Sequence, residues 1–587
     1  LDFVVTEVGY IRTVLSGSIE EERMTAHWDR EVDVLIAGSG AAGLTAAITA
    51  ADAGLTALVV ESTDRWGGTT MLSGGGLWMP TNPLMKKHGI PDSRSDALTY
   101  MEAAIGDAGP ASSTERREAF VDAVPRMFGL LEGLGVRWCA AKDYPDYYPD
   151  RPGGRIGRGI EVQPFDAKKL GDWVKSSRAG QSVPAPLKTD DVWLLSRAWS
   201  TPSGFVRGAR FVFRTLGGIV TGKRLFGLGA ALVMTLMEIV RRQGTEVLLN
   251  SPVSELVQEG GRVVGAIITT AAGPVRIRAR AGVILGAGGF AQNQEWRQKY
   301  HGMPGNSSAA DGDQGTAIDV GARAGGALAL MDDAWWGSAV PMRDGPAQFL
   351  LSERSMPFGI IVDQAGSRFT NESESYIDFG HDMIEHHKLT PAIPSWLIVD
   401  VRHRRRYLFS PLLMGGKSLR ADGTVVTAAT LDELAGRLDI DPAALRATVE
   451  RFNGFTQSGV DLDFGRGRTL YDNYYGDPSV KPNPNLGPLE KGPFTAVKVV
   501  PGDLGTKGGL LTDENARVLT EGGEAIPGLY AAGNTTASVM GRTYPGPGST
   551  IAPAMVFGYL AALHAATTSG SVNPAETVIP TEKESLA

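Results

Sequence analysis

The sequence contains a single cysteine, Cys139, in 587 residues. No intrachain disulfide and no CxxC metal site can form, which fits a reducing cytoplasm. Its eight histidines, among them the adjacent His386 and His387, include no HExxH pair. They read as ordinary surface or core residues, and no metal is expected. No stretch reaches the roughly 18–20 uncharged apolar residues of a membrane span. Positive charge is in deficit as well: the net charge is −8 and the pI about 5.7, so nothing resembles a nucleic-acid footprint. Internal repeats are absent. What is abundant is glycine, 75 residues, nearly twice the usual share of about 7%. Many backbone segments must therefore turn tightly or approach something closely. The length allows two to four domains, and the 42% apolar content is that of a globular protein with a sizeable core.

The chain opens clearly at Val32. Residues 1–24 read as a flexible N-terminal extension, with Met24 a candidate start. Val32–Ala37 reads as a buried parallel strand, followed by Gly38-Ser39-Gly40-Ala41-Ala42-Gly43, an alanine-rich helix to about Ala53, and a second apolar run, Ala57–Val60, ending at Glu61. This is a βαβ unit carrying GxGxxG. The first glycine makes the turn, the second lets a pyrophosphate approach the backbone, and the third lets helix and strand pack. The helix N-terminus faces the phosphates, and Glu61 is placed to accept ribose hydroxyls. Further apolar runs lie at Val247–Leu256, Val263–Thr269 and Val283–Gly286, a helical stretch at Leu431–Phe455, and a buried Ala-rich helix at Ile551–Ala566.

Three more stretches indicate FAD rather than NAD. Asp64-Arg65-Trp66-Gly67-Gly68-Thr69-Thr70 resembles the extended fingerprint of two-dinucleotide-binding flavoproteins. Gly286-Ala287-Gly288-Gly289 resembles their second glycine stretch, and Gly528-Leu529-Tyr530-Ala531-Ala532-Gly533-Asn534 the late motif that holds the ribityl chain, with Asn534 where many relatives carry Asp. The expected cofactor contacts, with FAD bound non-covalently, are Gly38 to Gly43 in the first turn, Glu61 with Ser62, and Gly67, Gly68, Thr69 and Thr70. Ser73, Gly74, Gly75 and Val253 come next, then Ala287, Gly288 and Gly289, and at the far end Gly533, Asn534, Gly548, Thr550 and Ile551. Ser549 or Thr550 is expected to cap the last helix, whose positive end would face the flavin pyrimidine. The expected fold class is α/β: a Rossmann-like FAD-binding domain built from both ends of the chain (25–333 and 506–570), an inserted α+β catalytic domain at 334–505, and a flexible tail, 571–587.

Four stretches then carry a closer resemblance: Tyr144-Pro145-Asp146-Tyr147-Tyr148-Pro149, Asn371 to Tyr376, Asp503-Leu504-Gly505-Thr506-Lys507-Gly508-Gly509, and Tyr544-Pro545-Gly546-Pro547-Gly548. From about Glu31 to His564 the chain resembles the 3-ketosteroid Δ1-dehydrogenases, within the fumarate-reductase-like flavoproteins. The resemblance implies 1,2-dehydrogenation of a 3-oxosteroid in steroid degradation. Tyr544 hydroxyl and the Gly548 amide would polarise the C3 ketone, Tyr376 would take the C2 proton while hydride passes from C1 to flavin N5, and Tyr147 would relay the proton. Tyr148, Tyr474 and Tyr475 read as packing residues. Gly315-Thr316-Ala317 departs from the Gly-Asp-Gly of many relatives, and Thr506 to Gly509 lacks the histidine of fumarate reductases. The alternatives are a Δ4-(5α)-dehydrogenase or other enoate reductase, and a non-catalytic, membrane-docked flavin subunit. A single ribose-acid βαβ unit is evident, which leaves a quinone as a fitting electron acceptor.

One segment points to lipid. Between Val192 and Met237 there is no Asp or Glu, while Arg197, Arg207, Arg210, Arg214, Lys223 and Arg224 are interleaved with Trp193, Trp199, Phe205, Phe211, Phe213 and Phe226. Such a stretch fits an interfacial segment on an anionic membrane, placing the protein in the cytoplasm and peripherally on the inner face of the cell membrane. The competing reading is a core helix pair with snorkelling arginines.

Overall fold

The structure is a computed structural model. It describes residues 27–571 apart from 142, 180–183 and 344–346. The expected extension, 1–24, and the tail beyond 571 lie outside the described residues.

The first apolar run forms strand β1, Arg30–Ala37. Val34, Leu35 and Ile36 are fully buried, as a parallel strand covered on both faces requires. The chain turns at Gly38, where φ is +101° and a Cβ would stand 2.4 Å from the Gly286 carbonyl oxygen. It then enters helix α1, Ala41–Asp52, and strand β2, Ala57–Val60. A helical hairpin of α2, Thr189–Ser196, and α3, Pro202–Val220, precedes α4, Leu228–Arg242. Strands β3, Glu246–Leu248, β4, Val253–Glu259, β5, Arg262–Thr270, and β6, Gly273–Leu285, come after it. The run Val247–Leu256 is therefore two strands, not one. Asn250 takes a left-handed φ of 52°, and Pro252 has no N–H to donate, so the pairing stops between them.

A second set of strands comprises β7, Ala334–Val340, β8, Gln348–Phe349, β9, Gly359–Val362, β10, Ser395–Val399, β11, Val425–Ala428, and β12, Phe494–Thr506. Helices α5, Tyr376–His387, and α6, Leu470–Tyr475, lie between them. The helical stretch expected at Leu431–Phe455 is two helices, Leu431–Leu438 and Pro442–Ser458. Asp439, in the left-handed conformation at φ 59°, ends the first, and Pro442 starts the second. The chain finishes with β13, Arg517–Leu519, β14, Ala525–Ala531, and α7, Ile551–Thr568.

Two sheets result. The first runs β13–β14–β6–β1–β2–β3, with β5 beside β6 and β4 beside β5. Strands β14, β6, β1, β2 and β3 are mutually parallel, and the others antiparallel. Helix α1 packs on α7 beneath this sheet. Among the described residues α7 is the one helix long and apolar enough to cross a membrane, but it is a core helix, with Ala552 to Tyr559 buried. The second sheet is antiparallel, in the order β8–β7–β12–β10–β9 with β11 also on β12. Its two outermost chain crossings pair with each other, Ala334 opposite Thr506.

The lipid-facing expectation for 192–237 is corrected in extent. Ala231 to Met237 are buried in α4, so this part belongs to the core. Only the region up to Val220 turns apolar side chains outward. Phe205, Phe213, Leu216, Ile219 and Val220 are all more than half exposed. On α3 the polarity is inverted, because Arg214 and Arg207 reach the fully buried Asp191, at 2.5 and 3.7 Å.

Candidate active site

Both ends of the chain meet around one cavity of about 590 Å³. Its cradle end is lined by Gly38, Ser39, Gly40, Ala41 and Ala42, then Glu61 and Ser62. Gly68, Thr69, Thr70, Ser73, Gly74 and Gly75 come from the next loop, with Ala287 and Gly288 from the second glycine stretch and Gly533, Asn534, Thr550 and Ile551 from the late segment. Four expected contacts fall outside this lining. Gly43 instead packs helix to strand, since a Cβ there would stand 1.9 Å from the Gly38 carbonyl oxygen. Gly67 packs on Met71, and Gly289 on Thr506. Val253 is a buried core residue of β4.

These residues fit a dinucleotide. The turn at Gly38 leaves no room for a side chain, and Gly40 meets nothing nearer than Thr70 Oγ1 at 3.7 Å, so the backbone of the α1 N-terminus is open to phosphate. Glu61 is buried yet lines the cavity, held by the hydroxyl and amide of Ser39 at 2.5 and 3.2 Å and by the Thr63 amide at 3.1 Å. Asp313 is buried in the same wall; among the described residues its carboxylate oxygens make no full hydrogen bond, and the Gly289 amide is aimed at them.

The opposite end is a cage of phenols. Tyr147, Tyr376 and Tyr544 are each no more than 5% exposed and come from three distant parts of the chain. The Tyr147 ring stacks on Tyr544 at 5.1 Å and meets Tyr376 edge-on at 5.5 Å, while Tyr376 and Tyr544 lie 4.9 Å apart. A buried ion pair and a buried arginine hold this arrangement. The loop bearing Tyr147 hangs on Asp146, which accepts from Trp78 Nε1 at 2.8 Å and Arg158 at 2.7 Å. Tyr147 then donates its amide to the Pro545 carbonyl at 2.9 Å, tying its loop to that of Tyr544. Tyr376 is the first residue of α5. The turn before it is gripped by Arg354, which donates to the Glu372 and Glu374 carbonyls at 2.6 and 2.7 Å.

Burial pushes the Tyr376 phenol well above 10, and Tyr544 adds to the rise, while the hydrogen bond from Tyr147 works the other way. Tyr147 is likewise raised by burial. Tyr544 is raised by burial, and the Thr550 hydroxyl opposes this most strongly, with Tyr376 and the Gly548 and Thr550 amides aimed at the same oxygen. Thr550 Oγ1 donates to the Tyr544 hydroxyl at 3.0 Å. This leaves the Tyr544 proton free for an acceptor in the cavity. Of the two residues expected at the cap, Thr550 occupies the N-cap position of α7 but makes no side-chain cap bond, since its hydroxyl serves Tyr544, while Ser549 bonds Gly546 at 2.8 and 2.9 Å. Gly548 also lines the cavity. Its φ is +90° and a Cβ would stand 2.0 Å from the Gly76 carbonyl oxygen, so no side chain can screen its amide.

Three further groups belong here that sequence reasoning passed over. Tyr475, taken as packing, lines the cavity and bonds Tyr144, whose hydroxyl is 3.3 Å from that of Tyr147. Of the other two tyrosines so read, Tyr148 donates to Asp378 at 3.1 Å and Tyr474 stacks on Tyr144 at 4.5 Å. Asp313 and the buried Lys507 are the remaining two. Only their burial singles them out, and sequence does not show burial.

Known proteins resemble this chain along nearly its whole length. The family profile described as "FAD binding domain" matches residues 33–551. The 3-oxosteroid 1-dehydrogenase of Mycolicibacterium smegmatis is 45% identical over 92% of this chain and 98% of its own length. The chain belongs to the 3-oxosteroid 1-dehydrogenase family. Within that family the 3-ketosteroid Δ1-dehydrogenase of Sterolibacterium denitrificans, solved with 1,4-androstadiene-3,17-dione, superposes with a TM-score of 0.86 at 36% identity, covering 92% of this chain and 100% of that one. The α/β FAD-binding fold, a mixed sheet with an antiparallel second sheet, is thus shared by members of the 3-oxosteroid 1-dehydrogenases. The 4-oxocyclohex-2-ene-1-carboxylate 5-dehydrogenase of Sinomonas cyclohexanicum is 37% identical over 90% of this chain and 92% of its own length.

Proposed function

We propose that this chain removes two hydrogens across C1–C2 of a 3-oxosteroid with FAD held non-covalently. The observation that carries the reading is the meeting of Tyr147, Tyr376, Tyr544 and the unscreened Gly548 amide at one end of a cavity whose other end is a dinucleotide cradle. When bound, FAD supplies the hydride acceptor. Tyr544 hydroxyl and Gly548 amide donate to the C3 oxygen, which acidifies C2–H; a donor of this kind is typically worth about 2.7–4 kcal/mol. Tyr376 takes the C2 proton. Its raised pKa disfavours a standing phenolate, so as Tyr376 takes the C2 proton its own hydroxyl proton passes to Tyr147 and on towards Tyr144 and Tyr475.

A neutral ring system suits the mouth, where Leu195, Leu351, Leu408 and Phe349 join Glu353. A carboxylate-bearing ring would meet Glu353 there. The one cation of the described lining, Arg178, is engaged elsewhere by Asp311 and Thr63. The test is anaerobic titration with a 4-ene-3-ketosteroid, followed by product analysis. Flavin bleaching with a new C1–C2 double bond is expected. A C4–C5 double bond from a saturated 5α-ketone would favour the Δ4 alternative, and an unbleached flavin the non-catalytic one.

The outward face of α3 favours a place for the reaction, peripheral on the inner face of the cell membrane. Trp199 and Phe213 are 71% and 73% exposed, Arg210 and Lys223 are exposed beside them, and α2, which packs on α3, contributes Leu195 and Ser196 to the cavity wall. Exposed apolar patches of this kind mark interaction surfaces, and a steroid dissolved in lipid would enter beside it. A membrane quinone fits as the electron acceptor. Flotation with anionic liposomes at low salt is the check: the protein should float, Phe213→Glu with Ile219→Glu should not, and a wild type that stays at the bottom ends the idea.

A further inference from the structure

A second cavity, of about 580 Å³, lies against β11 and β12 and shares no described lining residue with the one that holds the tyrosines. Three arginines line it. Arg404 comes from the helix Val401–Arg406, Arg420 from Ser410–Ala421 and Arg437 from Leu431–Leu438. Its described lining contains no Asp or Glu, while Thr427 and Thr495, with hydroxyls 3.2 Å apart, add two polar groups. In a chain of net charge −8 this is a local concentration of positive charge, not part of a generally basic surface.

Acids do not neutralise it. Arg404 is half-buried, its guanidinium over the Phe409 ring at 5.2 Å. Burial first, and then the charge of Arg420, push its pKa below the ordinary arginine range, and no carboxylate opposes them. Arg420 donates to the Gly416 carbonyl of its own helix at 3.0 Å. Arg437 alone of the three has a carboxylate among the described residues, Glu433 at 2.6 Å, and it also donates to the Thr427 carbonyl at 2.8 Å. Arginine keeps its charge in a protein, so two neighbouring guanidiniums without a counter-ion cost free energy. An anion in the cavity removes that cost. A phosphate ester suits better than a carboxylate, because it brings about −1.5 to −2 charge and three acceptor oxygens, which guanidinium forks match in geometry.

We propose that this cavity is a phosphate site, in which Arg404, Arg420 and Arg437 bind the phosphate of a phosphorylated organic ligand. It stands apart from the dehydrogenation and does not rest on the FAD reading.

The experiment titrates pyrophosphate into the FAD-saturated enzyme by calorimetry, in a phosphate-free buffer of low ionic strength. The filled cofactor cradle cannot then take up the probe. One site per chain with a Kd of about 1 mM or tighter is expected. Arg404→Gln and Arg420→Gln should each weaken binding about tenfold or more, as the loss of a charge-assisted hydrogen bond does. Hydrogen exchange of the wild type needs no variant to fold: pyrophosphate should slow the amides of the helices Val401–Arg406 and Ser410–Ala421. No saturable binding, binding unchanged in both variants, or slowed exchange confined to other parts of the chain overturns the proposal. Competition then names the source of the phosphate. Phosphatidic acid vesicles that displace pyrophosphate mark a lipid headgroup, and vesicles that leave it bound mark a soluble phosphate ester.

Discussion

Lys507 lies against the face of Trp335, its Nζ 4.1 Å from the ring centre. Trp335 in turn meets Tyr544 edge-on at 5.1 Å. The ammonium is fully buried and, among the described residues, has no carboxylate in hydrogen-bond contact. It donates to the Gly541 and Thr543 carbonyls, at 2.7 and 2.6 Å, in the segment leading into Tyr544. Lys507→Met leaves both carbonyls without their donor, an expected loss of about 1–3 kcal/mol, read by urea unfolding.

The same lysine imposes a pH dependence. Burial lowers its pKa to about 7, while an unfolded lysine keeps its proton to about 10.4. Between those values the unfolded chain binds more protons, so this group makes stability rise with pH from about 7 to about 10. Unfolding midpoints at pH 7 and pH 9 should separate in wild type. In Lys507→Met that separation should shrink, and an unchanged one would refute the assignment.

Tyr376→Phe should keep its flavin and lose nearly all turnover. Tyr544→Phe should lower kcat by about 10²–10³-fold, the usual effect of deleting one oxyanion donor. Anaerobic single-turnover flavin reduction isolates the chemical step in both. Wild-type rates in either would remove that tyrosine from the mechanism.

Gly548→Ala tests the main-chain donor. The new Cβ must displace the Gly76 carbonyl and sit at φ +90°, a backbone cost of about 1–3 kcal/mol. Turnover should fall with stability. An active, stable Gly548→Ala would mean that the close approach of Gly548 to the Gly76 carbonyl is not needed to place the amide.

Asp146→Ala should be severe although Asp146 touches no reacting atom. Arg158 would retain Asp92 but lose its second buried carboxylate, and breaking such a buried pair costs roughly 3–5 kcal/mol. The melting temperature should drop, and with it the anchorage of the Tyr147 loop.

The dinucleotide end was legible in the sequence because its parts are local: Gly38 to Glu61 is one βαβ unit with a fixed order of glycines and acid. The phenol end was legible only through family resemblance. Residues 147, 376 and 544 share no periodicity, and tertiary contacts such as Tyr147 amide to Pro545 carbonyl assemble them. Thr550 reads equally as a cap or a hydroxyl donor, and the neighbouring Tyr544 decides between them. Arginines on α3 looked like a lipid-facing charge set, yet Asp191, one residue before the acid-free stretch, draws Arg207 and Arg214 inward and leaves the aromatic side for the outside.

The pairing of Ala334 with Thr506 has a mechanical meaning. Both connections between the two sheets pass through a single two-stranded ribbon, so the strand entering the second sheet and the strand leaving it are hydrogen-bonded to one another from the outset, and neither crossing runs as a free linker.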